Sequence, residues 1–586
     1  MSRLRNVLCL VALMVFAGCY DYDGTLGIGV QRDITQCFDA DGKAWLSLSL
    51  DLSQPSKSER ATRSTFGDGD EAEHAIRTLT LVLFHGPQTA SEDEMTVATT
   101  YAVDYHSLKH VNSQVTHSSR TTIQISRDYL DTADRLCLLA IANLSPDITT
   151  GQTFSALKNM KFSSLTTTID DTDYYVMTNS PTATTNDGTG EIRTLVEVSP
   201  DDLFATAEEA EQHPTGEIYM ERAAARLTVT QAVSPMVIGG NNAITFTEND
   251  MRFALYKYNQ KFFLVRHFNQ SWLGYNSHNR GYRFTEAQAL SPQHYRTCWA
   301  QDANYDGTGD KLSTTIGWKA MGESYYMAEN TFDVGHMTSE NTTAAIVYLR
   351  LNGGNSFYTA STTGSDIIYQ LPEPGLEEHG TSANVTFARL QSERVSTAKT
   401  IDEYLRQWLM QTNKEFRQWV NNYAGCEPRH VRFSIETASN GLVGAQVTAV
   451  SQTARTSGQG VTDFNSLDLV NYLNSNISLN YYHEGRCFYH IPIRHFDDTL
   501  TPWQSPAEAA SDSAIQAYGD NANDYLGRYG VVRNNWYILN ITNVSHVGSP
   551  VAPDSASSPT ADDHIEQLLN ITLTVNGWSD QSVELR

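Results

Sequence analysis

The chain has 586 residues, 40% of them hydrophobic and 18% charged, so it carries enough apolar side chain for several packed cores and is not a disordered polymer. Its 67 Asp and Glu against 41 Lys and Arg leave a net charge of −26, which argues against a nucleic-acid partner, because phosphate binding needs concentrated positive charge. A mean hydropathy of −0.39 excludes a multi-span membrane protein.

The first residues form a targeting segment. Arg3 and Arg5 supply a basic start, and Val7 to Phe16 form an apolar run too short to span a bilayer. Phe16-Ala17-Gly18-Cys19 resembles a bacterial lipobox. Residues 1–18 then read as a lipoprotein signal peptide and Cys19 as the acylated first residue; an ordinary signal peptide cut nearby is the alternative. Of the seven cysteines, Cys9 and Cys19 fall in this region. The remaining five, Cys37, Cys137, Cys298, Cys426 and Cys487, are scattered and odd in number, which reads as buried thiols rather than a disulfide framework.

Ala44 to Ser53 reads AWLSLSLDLS, with Leu46, Leu48, Leu50 and Leu52 on one face and Ser47, Ser49 and Asp51 on the other. Strict period-two alternation predicts a half-buried strand over 44–53, opened by the turn pair Asp41-Gly42. A polar stretch without apolar periodicity follows, and in it Arg60 and Arg63 offer cleavage sites to a trypsin-like protease. Ile76 to Phe84 begins a second alternating strand. Residues 19–63 therefore read as a propeptide whose strand is removable.

Further along, short alternating runs such as 226–230, 346–351, 445–450 and 537–544 are punctuated by Gly, Asn and Asp. The expected fold is all-β with one substantial helix, as two tandem β-sandwich domains, 64–215 and 216–586, divided near Pro214-Thr215-Gly216. The helix is predicted over 400–424. Thr400 and Glu403 form a capping box, Ile401, Tyr404, Leu405, Trp408, Leu409, Phe416, Trp419, Val420 and Tyr423 share one face, and Gly425 ends it.

Catalytic signatures such as G-x-S-x-G, H-E-x-x-H and the phosphate-binding loop do not occur, so no enzyme activity is expected. His483, Cys487, His490 and His495 cluster, but Cys487 and His490 differ by three and leave a regular strand on opposite faces. Asp302, Asn304, Asp306 and Asp310 have the opening spacing of a calcium loop, whereas Ser313 stands where a bidentate Glu belongs. An Asx turn capped by its own side chains is the favoured reading there, with calcium as the weaker candidate and no other cofactor. At the far end Ile571, Leu573 and Val575 alternate with polar residues, and Val583 and Leu585 continue the pattern to Arg586. Such a segment is either the last strand of a sheet or a strand available to another chain.

Taken in order, these pieces resemble a Bacteroidales-type fimbrillin, the shaft subunit of a type V pilus, and most closely the major subunits of the short fimbriae. The residues that carry the resemblance include Cys19, Arg60 and Arg63, Ile76–Phe84, Met220–Val229, Tyr325–Asn330, Gly485–Arg494, Gly527–Tyr537 through Gly548-Ser549-Pro550, and the ending Ile571–Leu585. The resemblance implies sandwich domains of transthyretin-like, Greek-key type, completed by donor-strand exchange. It implies an outer-membrane lipoprotein precursor from which an Arg-specific surface protease removes the first strand after Arg60 or Arg63. The C-terminal donor strand 571–586 of another copy would then fill the seat, giving a head-to-tail extracellular fimbria that mediates adhesion and biofilm formation. Anchor and tip fimbrial proteins and host or bacterial surface receptors are the implied partners. The alternatives are an anchor or tip subunit, or a monomeric glycan-binding surface lipoprotein.

Overall fold

The computed structural model describes most of residues 37–585; residues 1–36, 53–70, 373–400, 502–521 and 553–568, with several shorter stretches, lie outside the described residues. Cys19, Arg60, Arg63 and Thr400 are among those outside. The protein is mostly β-strand with few helices, the class its short alternating runs predict.

The largest sheet among the described residues has nine strands: β1 Lys43–Leu52, β2 Leu79–Pro87, β3 Thr96–Val103, β4 Lys109–Asn112, β5 His117–Ser126, β6 Asp134–Ala142, β7 Met177–Asn179, β8 Val196–Val198 and β9 Gly216–Arg222. Their order is β3-β2-β6-β7-β9-β1-β5-β4, with β8 also paired to β6. The first strand among the described residues therefore sits inside the sheet, not at its edge. A turn sets its start: Gly42 adopts φ +71, and the Asp39 carboxylate accepts from the backbone N–H groups of Asp41 (2.9 Å) and Lys43 (2.8 Å).

A second core is shared by two sheets. One runs in the order Ser324–Ala328, Ala224–Gln231, Asn535–Val544, Leu569–Gly577, Gln581–Leu585; the other runs Lys319–Ala320, Arg252–Tyr256, Ala344–Arg350, Arg486–Pro492. Leu227, Val229, Tyr537, Leu539 and Ile541 from the first meet Phe253, Leu255, Val347, Leu349 and Tyr489 from the second. Their strict alternation along each strand produces the shared apolar face.

Between the paired strands Ala344–Arg350 and Arg486–Pro492 the chain makes an excursion with its own core. A five-stranded sheet, in the order Ser365–Pro372, Phe357–Thr362, Ile477–Tyr482, Ala445–Gln452, Val431–Thr437, is covered by helices. The helix expected over 400–424 is two: Ile401–Thr412 and Lys414–Asn422. Asn413 divides them, because its side-chain oxygen accepts from the Phe416 N–H (2.8 Å) and so caps the second helix as the chain changes direction. Ile401, Tyr404, Leu405 and Leu409 from one helix and Phe416 and Trp419 from the other are buried in this core. Gly425, at φ +85, follows the second helix.

One buried side chain fixes the entry to β2. Asn143, fully buried at φ +56, accepts from the backbone N–H groups of Arg77 (2.8 Å) and Thr78 (3.3 Å) and donates to the carbonyls of Ala75 (2.9 Å) and Tyr175 (2.8 Å). Asn143→Ala strands these groups in the interior and adds left-handed strain, so it is expected to lower stability by about 2–4 kcal/mol, read as a shift in the urea midpoint.

Candidate functional site: the seat of the first strand

β1 runs parallel to β9, with Leu48 opposite Gly216 and Leu50 opposite Ile218. It runs antiparallel to β5 over Lys43 to Asp51, opposite Ser126 to Ser118. Leu46, Leu48 and Leu50 are each only 1% exposed and share a core with Ile123, Ile125, Ile218 and Met220. Leu52 pairs through its backbone with Met220. The seat is cut to Leu48: a β-carbon on Gly216 would stand 2.5 Å from Leu48 Cδ2.

The other face of β1 is covered as well. Trp45 exchanges backbone hydrogen bonds with Phe204 (2.7 and 2.9 Å), Ser47 is buried, and the short helix Ala207–Gln212 packs against the strand. Asp51 ends the buried part of this face. The Ser49 hydroxyl donates to its carboxylate (3.1 Å), yet burial, reinforced by the nearby Glu217, holds the Asp51 carboxyl above its usual range.

The chain that emerges from the 53–70 segment is pinned separately from β1. Glu73, on the short helix Glu71–His74, is 2% exposed. Its carboxylate receives Arg226 Nη1 (3.1 and 3.2 Å) and the Tyr326 hydroxyl, and its carbonyl receives Arg222 Nε. These contacts tie the chain after the linker to β9 and to the second core, with no help from β1.

The C-terminal segment singled out in the sequence forms a hairpin in the described backbone. Leu569–Gly577 pairs antiparallel with Asn535–Val544, placing Ile571 opposite Ile541, Leu573 opposite Leu539 and Val575 opposite Tyr537. Gln581–Leu585 pairs with the same strand, Val583 opposite Val575 and Leu585 opposite Leu573, and forms the outer edge. The structure thus puts Leu46, Leu48 and Leu50 in one sheet and the 571–585 segment in another.

Of the remaining sequence candidates, Asp302, Cys487 and His495 are buried and built into the interior. Asp302 is buried, and its carboxylate accepts from the N–H groups of Asn304 (2.8 Å) and Thr331 (2.9 Å) and from the Asn259 amide. Burial pushes its carboxyl up to about 7. The Asn304 contact is an Asx turn; Asp306 and Asp310 lie outside the described residues. Among the described residues no group of His, Cys, Asp and Glu has the arrangement to hold a metal ion. Cys487 faces the second core, His490 occupies the opposite face of the same strand, His483 is exposed in a turn, and His495 packs against Trp299 with its Nδ1 2.9 Å from the Tyr537 hydroxyl. None of the five described cysteines forms a disulfide; four are buried and Cys298 is partly so. Among the described residues no helix is long and apolar enough to cross a membrane.

Glu73 and Asn143 escaped sequence reasoning, because their partners lie far along the chain. The only local hint is at Asn143, a polar residue that directly follows the apolar run Leu136–Ala142.

No curated protein matches the chain significantly. Among solved structures, it is similar to a fimbrillin (FimA) from Porphyromonas gingivalis W83, at 12% identity and a TM-score of 0.31, over 92% of this chain and 99% of that one. It is also similar to the tip fimbrial protein Mfa3 of Porphyromonas gingivalis, at 11% identity and a TM-score of 0.26, over 56% and 81% of the two chains. A third likeness is to a fimbrial assembly protein from Parabacteroides distasonis, at 11% identity and a TM-score of 0.24, over 57% and 87%. The sequence match is more specific: residues 513–584, which take in the C-terminal hairpin up to Glu584, match the family model described as major fimbrial subunit protein type IV, fimbrillin, C-terminal.

Proposed function

We propose that this chain is the shaft subunit of a cell-surface fimbria that polymerises by exchanging its first strand. The observation that carries the reading is β1 itself. Three leucines at 1% exposure bind it into the interior of a sheet, yet it is joined to the rest of its domain only through the segment that contains Arg60 and Arg63. The separate anchoring of Glu73 and Asn143 supports the same reading, since the chain beyond the cut keeps its place when β1 goes.

In this mechanism the precursor is held at the outer membrane by lipid on Cys19, and an Arg-specific protease cuts after Arg60 or Arg63. Loss of β1 opens a gap between β9 and β5, with two unpaired backbone edges and an empty apolar slot. The C-terminal segment of a second copy fills it by strand addition. Burial of three or four aliphatic side chains at about 1.5–3 kcal/mol each supplies the driving force, before ordering costs are subtracted. Because the donor and acceptor surfaces differ, the contact is open-ended and yields a filament. The donor must first leave its own hairpin, so exchange opens two sheets rather than one. Adhesion to surface receptors, and association with tip and anchor proteins, follow from the fimbrial role.

Trypsin at limiting dose tests this on the chain lacking residues 1–19. A single early cut after Arg60 or Arg63, followed by a ladder of heat-resistant oligomers on unboiled gels, is the expected result. Deleting 571–586 should abolish the ladder while near-ultraviolet circular dichroism stays native. A cut product that remains monomeric would overturn the shaft reading in favour of a tip subunit or a glycan-binding surface protein. Resistance of the linker to protease would favour an anchor.

A further inference from the structure

β1 places one ionisable side chain in the covered part of its seat. Lys43 opens the strand in an exposed position, whereas Asp51 lies between β9 and β5, opposite Tyr219 on one side and Ser118 on the other. The groups around it come from every neighbouring element. Glu217 of β9 repels its charge and Arg120 of β5 attracts it, while the Ser49 and Ser118 hydroxyls are hydrogen-bond partners. Tyr219 gives its hydroxyl to Glu217 (2.7 Å). The helix packed over β1 carries Glu208, Glu209 and Glu211, of which Glu211 is paired with Lys109 of β4 (2.6 Å). One acid and one base thus act on Asp51, and it is the removal from water between two strands and under a helix that makes a carboxylate a poor occupant there.

The segment 569–577 has the alternation of β1 without that group. Leu569, Ile571, Leu573 and Val575 alternate with Asn570, Thr572, Thr574 and Asn576, and none of the four polar residues ionises. With Ile571 set at the position of Leu46, Leu573 falls at Leu48, Val575 at Leu50 and Asn576 at Asp51, where it is the uncharged isostere. A shift of two residues brings Thr574 to the same place, again neutral.

Resting on the strand-exchange reading above, we propose that Asp51 marks β1 as the outgoing strand, and that the uncharged segment 569–577 of a second copy is the preferred occupant of the same seat because it brings no carboxylate there. The sign with pH follows. A carboxyl whose seated pKa is raised above 3.8 favours the seated strand fully below that value and loses the advantage as pH rises through the raised one. Displacement of β1 should therefore quicken from acid towards neutral pH and level off once Asp51 is ionised.

The test uses the chain lacking residues 1–19, nicked in the 53–70 linker, with a fluorescent peptide of residues 568–578 as the probe. Peptide uptake and release of the β1 fragment are followed by anisotropy and size-exclusion chromatography. Asp51→Asn should slow uptake about fivefold or more at neutral pH and flatten its pH dependence, and an Asn576→Asp peptide should enter the wild-type seat more slowly by a similar factor. Asp51→Ser, which removes the charge without the amide, should behave as Asp51→Asn does. Equal rates and equal pH profiles for wild type and both variants would overturn the role of Asp51 and leave strand exchange standing. If the nicked wild type takes up no peptide at any pH, the strand-exchange reading falls, and the proposal with it.

Discussion

Leu48→Ala is expected to destabilise the precursor by about 2–5 kcal/mol while leaving the assembled polymer unchanged. The first half follows from packing. Leu48 is 1% exposed, and its Cδ2 occupies the space that a β-carbon on Gly216 would need, so truncation leaves a cavity whose glycine wall has no side chain to collapse inward. The second half follows from the proposed mechanism, because β1 is no longer part of the polymer. Thermal melts of uncut and assembled protein, recorded side by side, separate the two. Destabilisation of both forms by the same amount would mean that β1 stays in the mature subunit. The size of the effect also sets a limit on function: a seat weakened by several kcal/mol should shed β1 before it is cut, and the uncut variant should bind the 568–578 peptide where wild type does not.

The strand at the centre of this argument was legible in the sequence because alternation is a local property. Leu46, Leu48 and Leu50 repeat every two residues, and the strand period converts that directly into one buried face. Its position between β9 and β5 was not legible. That depends on Gly216, a residue far along the chain whose missing side chain makes room for Leu48. The helical region shows the same division. The aromatic stripe from Ile401 to Trp419 announced helix, but the break at Asn413 depends on one side chain turning back to the Phe416 N–H, and Asn has no fixed role until its neighbours are placed. The separate core built from Phe357 to Tyr482 was hidden for another reason. Its strands alternate like their neighbours, and no composition change marks where the chain leaves the strand Ala344–Arg350 or returns at Arg486. The Asp302 loop could be read two ways because calcium loops and Asx turns use the same residues; burial and the Thr331 partner make Asp302 a structural acceptor.

Buried charge was invisible to sequence reasoning altogether, and it supplies the second large effect. Glu221 on β9, Arg266, Arg296, Glu329 and Arg533 meet in the interior, with Glu221, Glu329, Arg266 and Arg533 fully buried. Arg533 gives Nη2 to Glu329 Oε1 (2.6 Å) and to the Phe263 carbonyl (2.7 Å), and its Nη1 to the Leu264 carbonyl (3.2 Å). Arg266 Nη1 lies 3.4 Å from Glu221 Oε2 and donates to the Thr297 carbonyl (2.9 Å). The excess of arginine is felt nearby: burial, with Arg296 and Arg266 alongside, holds His495 down to about 3, so this histidine stays neutral at physiological pH. A complete pair of this kind adds little net stability, since desolvation offsets most of the attraction, but half a pair is expensive. Glu329→Leu is therefore expected to cost about 3–5 kcal/mol by leaving Arg533 charged without its carboxylate in a dry interior. The double variant Glu329→Leu with Arg533→Met should recover much of that loss, and the difference from the sum of the single variants measures the coupling. Because Glu221 belongs to the nine-stranded sheet and Glu329 and Arg533 flank strands of the second core, the single variant should also uncouple the two parts. Hydrogen exchange would register this as early opening of β9 and of the strand Asn535–Val544 together, with β2 and β6 still protected. Loss confined to one sheet would mean that the arginines and glutamates merely fill space; joint opening means that they fasten the first-strand seat to the strand that holds the C-terminal hairpin.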